Sequence, residues 1–89
     1  MQYKDVKILN KLGMHARASA KFTQLAGRYH SDVWLSRNGR KVNAKSIMGV
    51  MMLAAHQGTI LGIETSGVDE MEALQALVQM IEDRFGERE

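Results

Sequence analysis

The chain has 89 residues, no cysteine and no proline, and its formal net charge is only +2. A chain of that length has room for one hydrophobic core, spanning 1–89, and buries only about 60–65% of its unfolded surface. Absent cysteine excludes disulfides and thiolate metal sites, the small charge argues against a nucleic-acid partner, and no apolar run nears the roughly 18 residues of a membrane span. With no charged leader ahead of an apolar stretch, a soluble, cytoplasmic protein is expected.

Residues 2–9 place Val6 and Ile8 on one face and predict a strand. A glycine loop, Leu12-Gly13-Met14, then runs into a helical pattern at His15. No Ser, Thr, Asp or Asn stands where the N-cap should be. The first amides of that helix are left without an acceptor, at the positive end of its dipole. Arg17 follows two residues on, and its guanidinium fork matches phosphate oxygens in pairs. Together they make a ready site for a dianion. A histidine placed there can itself carry the anion, which points to phosphoryl transfer through a phosphohistidine.

The helix is predicted over residues 16–29, with Ala18, Phe22, Leu25, Ala26 and Tyr29 on its apolar stripe. Arg17, Lys21, Gln24 and Arg28 fall within about 60° of one another beside that stripe. This basic row is roughly 16 Å long. Salt screens charges over about 8 Å, so it would act at docking range.

Val33-Trp34-Leu35 predicts a second strand, and Asn38-Gly39 is a strong hairpin signal leading into a third at residues 40–43. A short helix is expected over residues 46–54, capped by Ser46. It is apolar nearly all round. Val50, Leu53 and Ala54 share one side, while Ile47, Met48, Met51 and Met52 share another arc that so small a domain cannot also bury. Exposed methionine is adaptable docking surface. A phosphate on Ser46 would put about −1.5 to −2 charge beside it.

Residues 59–65 predict a fourth strand, with Leu61 and Ile63 alternating against Gly62 and Glu64. The last helix begins at Asp69, where Glu72 three positions later predicts a capping box. Leu74, Leu77, Val78, Ile81 and Phe85 repeat at helical spacing, Arg84 falls in the last turn, and Gly86 is the expected stop. The order β-α-β-β-α-β-α predicts an α+β domain with helices on one face of a four-stranded sheet. His30 and His56 have no ligand partners at metal-binding spacings, so no metal or cofactor is expected.

Gly13-Met14-His15-Ala16-Arg17 and the run from Val42 to Met51 resemble the two signatures of HPr, the histidine-containing phosphocarrier family of the bacterial phosphotransferase system. The likeness extends over essentially the whole chain. It implies an open-faced β-sandwich, an antiparallel sheet with three helices on one face, acting as a monomeric carrier rather than an independent enzyme. It implies that His15 accepts phosphate on Nδ1 from enzyme I and passes it to an enzyme IIA-type domain. Arg17 and the backbone amides of Ala16 and Ala18 would hold the phosphoryl oxygens. Ser46 matches the serine modified by an HPr kinase/phosphorylase, and Ile47, Met48 and Met51 match the apolar part of the docking face, with Lys21, Gln24 and Arg28 beside it. A regulatory binding protein in carbon or nitrogen signalling, using the same face, is the alternative. One position departs from the family pattern: Ala18 stands where a proline usually pre-sets the helix start.

Overall fold

Alternation on four strands decides the layout in the computed structural model, which describes residues 1–89. Strands β1 (Gln2–Lys7), β2 (Asp32–Arg37), β3 (Arg40–Asn43) and β4 (Ile60–Ser66) form one antiparallel sheet in the order β1-β4-β2-β3. The register sets Val6 against Leu61, Ile63 against Leu35, and Leu35 against Val42. All of these point to one side. Helices α1 (Ala16–Gly27), α2 (Ile47–Met52) and α3 (Glu70–Glu82) complete the predicted β-α-β-β-α-β-α order.

Ala18, Phe22 and Ala26 of α1, Val50 of α2, and Leu77, Val78 and Ile81 of α3 close over that face. Phe22, Ile8 and Leu35 are fully buried. The other sheet face stays open. There Lys41 lies over the Trp34 ring, 5.2 Å from its centroid, and pairs with Glu64 at 3.3 Å. The β2–β3 turn has both Asn38 and Gly39 at positive φ, 51° and 80°, the geometry that matches the twist of a tight hairpin.

Helix ends differ from the sequence expectation in physically instructive ways. Helix α1 stops at Gly27, and Tyr29 is half-buried in the following loop. Helix α2 stops at Met52 because Ala54 turns to φ 49°, which carries Ala54 outward and buries Ala55 instead. Arg37 Nη1 closes that end by donating to the carbonyls of Leu53 and Ala54, at 2.8 and 2.9 Å.

The capping box at α3 does not form. Asp69 is the N-cap, but its φ of −114° and ψ of 31° turn the carboxylate away from its own helix. It accepts instead from the amides of His30 and Ser31, each at 2.9 Å, and from the Ser31 hydroxyl at 2.5 Å. Glu72 has no capping bond. Glu70 serves the helix start, taking the amide of Gly67 at 3.1 Å. The far end also departs. Helix α3 ends at Glu82, and Arg84, Phe85 and Gly86 form a 3-10 turn with all three at positive φ. Phe85 still reaches the core, while the chain behind it folds back toward α1.

Asp69 therefore ties α3 to the loop after α1. The Ser31 hydroxyl, then the His30 amide, hold its carboxyl down to about 2. That lies below the roughly 3.9 of an unfolded aspartate, so its contribution is complete above about pH 4 and is lost as pH falls through the folded value. Thermal melts of Asp69→Asn and the parent should show a gap that is steady near neutrality and closes between about pH 4 and pH 2. A gap that keeps its size down to the acid end would contradict this tie.

Candidate functional site

The loop before α1 is pinned on both sides. Asn10 and Gly13 close a turn through the Gly13 amide and the Asn10 carbonyl at 3.1 Å. Gly13 sits at φ 68°, and a Cβ there would meet the Ala55 carbonyl oxygen at 2.6 Å, so only glycine lets the loop lie against the segment after α2. The Met14 amide then bonds the Ala55 carbonyl at 2.8 Å, and the Ser19 hydroxyl turns back to the Met14 carbonyl at 3.0 Å. These bonds fix where α1 begins.

It begins at His15. Its backbone is extended, with φ −70° and ψ 177°, and no side chain caps the helix. The first helical bond runs from the Ser19 amide to the His15 carbonyl, at 2.8 Å. The amides of Ala16, Arg17 and Ala18 point out of the helix end with no protein acceptor. Ala18 leaves one more donor in this cluster than a proline would.

His15, Arg17, Lys11, Leu12 and the tail residues Glu87, Arg88 and Glu89 line an open cleft of about 410 Å³. The Arg17 side chain is exposed and forms no ion pair. His15 is about a quarter exposed, its side chain retaining 28% of its accessible surface. Its Nε2 lies 2.5 Å from Oε2 of Glu87, whereas Nδ1 has no hydrogen-bond partner. Burial pushes the Glu87 carboxyl up, but the hydrogen bonds from His15 and Asn10 outweigh it and hold the group below the ordinary glutamate range.

Glu87 and Asn10 escaped the sequence reading. Asn10 is fully buried, and its Nδ2 donates to the Gly13 carbonyl at 2.8 Å and to Glu87 Oε1 at 2.9 Å. An asparagine three residues before a glycine is a legible turn signal. Nothing in the sequence placed Glu87 beside a residue 72 positions away.

Helix α2 packs beside α1, so the second group of predicted residues shares the surface with the first. Ser46 caps α2 as expected, its Oγ accepting from the Gly49 amide at 3.2 Å. Ile47, Met48, Met51 and Met52 are exposed, Met48 most at 69%. The basic row holds Arg17, Gln24 and Arg28 in solvent. Lys21 is also exposed, but its Nζ donates to the Phe85 carbonyl at 2.8 Å, so it anchors the tail as well as adding charge. His30 and His56 stand exposed in separate loops, and no group of three metal-ligating side chains converges.

A family model described as the PTS HPr component phosphorylation site matches residues 2–83. The phosphocarrier protein HPr of Cupriavidus necator is 62% identical over 89 residues, covering all of both chains. That of Neisseria meningitidis serogroup A is 54% identical over the same full length. Among solved structures, HPr-C-His from Thermoanaerobacter tengcongensis superposes with a TM-score of 0.97 at 45% identity, again over the whole of both chains.

Proposed function

This chain belongs to the HPr family of phosphotransferase-system phosphocarriers, and we propose that it takes a phosphoryl group onto Nδ1 of His15 from phospho-enzyme I and gives it to enzyme IIA-type domains. The observation that carries this reading is the uncapped start of α1. Three free amides, an unpaired Arg17 and an open Nδ1 meet at one helix end.

Phosphoryl transfer asks a protein mainly for position and compensating charge. The amides of Ala16, Arg17 and Ala18 supply fixed donors that need no reorganisation as charge develops. Arg17 adds a full positive charge and two parallel donors. The same groups that favour taking the phosphoryl group also hold it, so the partner that accepts it must offer comparable donors. Docking falls to the exposed apolar arc of Ile47, Met48 and Met51 and to the basic row of Lys21, Gln24 and Arg28. An apolar partner surface with an acidic rim fits both. Ser46, at the edge of that arc, is the regulatory position.

Incubation with enzyme I and phosphoenolpyruvate should place one acid-labile, base-stable phosphate on the protein. His15→Ala should abolish it and leave the melting curve close to the parent's. Labelling that persists in this variant, or maps to His30 or His56, would remove the assignment.

Arg17→Ala should slow transfer by on the order of 100-fold, because it removes a donor at the reacting group. Arg28→Ala is the steering control, since Lys21 also holds the tail. Its smaller effect should fade in rapid kinetics above about 0.15 M salt, where screening is strong, while the Arg17 effect persists. Matching salt profiles would argue against separate roles.

Phosphorylating Ser46 should weaken enzyme I binding by about tenfold or more, equivalent to about 1.4 kcal/mol, without lowering the melting temperature. Negative charge at the start of α2 keeps the cap, while the partner's apolar surface meets a new charge. Calorimetric titration with parallel melts checks both. Unchanged affinity removes the docking argument, and a large drop in melting temperature would make Ser46 a structural cap alone.

A further inference from the structure

The folded-back tail gives His15 a carboxylate that the carrier chemistry has not used. We propose that Glu87, aimed by Asn10, is a positioning residue that keeps the His15 ring proton on Nε2 and leaves the lone pair on Nδ1. Its consequence rests on the carrier reading, but the proton's position belongs to the unphosphorylated protein and is measurable without a partner.

An ionised carboxylate only accepts hydrogen bonds. With Glu87 Oε2 at 2.5 Å, Nε2 must therefore be the donor. Glu87 is itself fixed from the other side, because Oε1 receives Asn10 Nδ2 at 2.9 Å. Asn10 cannot turn over. Its Nδ2 also serves the Gly13 carbonyl at 2.8 Å, and a flipped amide would aim Oδ1 at that carbonyl and at the carboxylate. Oδ1 is already left without a partner, so the side chain keeps its orientation at the cost of one buried acceptor.

The backbone makes the arrangement rigid. The Lys11 amide bonds the Glu89 carbonyl, Lys21 Nζ bonds the Phe85 carbonyl at 2.8 Å, and the Glu87 amide bonds the Arg84 carbonyl at 2.9 Å. The charged groups facing the pair are Lys11 from the loop before α1, Arg17 and Lys21 from α1 itself, and Arg88 and Glu89 from the tail. None of these other side chains bonds the imidazole.

In the forward step the Nδ1 lone pair forms the N–P bond. The bond from phosphorus to the donor's leaving atom breaks, and its electron pair stays with the donor. No proton leaves His15. The ring gains positive charge shared with Nε2–H, and the Glu87 carboxylate lies against that charge. In the return step the N–P pair goes back to Nδ1, and the Nε2–H ring is regenerated.

The test compares Glu87→Gln and Glu87→Ala with the parent by NMR on protein labelled in its histidine nitrogens. At about pH 8.5, roughly two units above the ordinary imidazole range, the parent should show a far-downfield proton bonded to Nε2. Glu87→Gln should weaken that signal and Glu87→Ala should abolish it, with melting temperatures kept within a few degrees. A phosphohistidine leaves more readily when its other ring nitrogen is protonated. In the phosphorylated protein the pH midpoint between labile and stable phosphate should therefore fall by about one unit in Glu87→Gln, a tenfold change in protonation. An unaltered Nε2 proton signal in Glu87→Ala, or lability profiles that superimpose, would overturn the proposal. A parent that shows the Glu87-dependent signal but takes no phosphate from enzyme I would sink the carrier reading and leave the positioning role standing.

Discussion

A twelve-residue helix that starts at a histidine without a cap leaves its first three amides without a protein acceptor, and the surrounding structure keeps them there. An ordinary Ser or Asp at that position would stabilise the fold by about 1 kcal/mol. Here the helix is held by other means. Phe22 and Ala18 anchor it in the core, the Ser19 hydroxyl ties its first turn to Met14, and Gly13 presses the preceding loop against Ala55. The start is rigid although its donors are unsatisfied, which is what a transient anion site needs.

Two surfaces then follow from the packing of α2 beside α1. In the proposed carrier role, the helix end would supply charge stabilisation within bonding distance of the phosphoryl group. The exposed apolar arc of α2 and the basic row of α1 would supply the contact area around it. That proposal assigns the short-range and docking contributions to different residues. Ser46 lies where the two meet only in the sense that its cap faces α2 while its position borders the arc. The tail adds a further layer, because Lys21 of α1 and Lys11 of the loop before it bond the tail backbone and hold Glu87 against Nε2 of the ring.

The order of elements was legible in the sequence because strand and helix periods differ and Asn38-Gly39 marks its own hairpin. The start of α1 was legible for the opposite reason, an absence: no capping residue precedes Ala16. What failed to show were choices between equivalent local partners. Asp69 and Glu72 have capping-box spacing, yet the Asp69 carboxylate finds better donors in His30 and Ser31, which are distant in sequence. The tail was misread because one glycine, Gly86, predicts a single left-handed residue. The chain uses three, with Arg84 and Phe85, and so reverses direction toward α1. Glu87 and buried Asn10 meet only through that reversal.

The central claim is that the uncapped helix end holds the phosphoryl group on one ring nitrogen. Phosphorus–nitrogen coupling, measured by NMR on the phosphorylated, histidine-labelled protein together with its amide spectrum, tests this most directly. The account predicts coupling of a single phosphorus to Nδ1 of His15, with the largest amide shifts at Ala16, Arg17 and Ala18. Coupling to Nε2, or those three amides unmoved on phosphorylation, would contradict it.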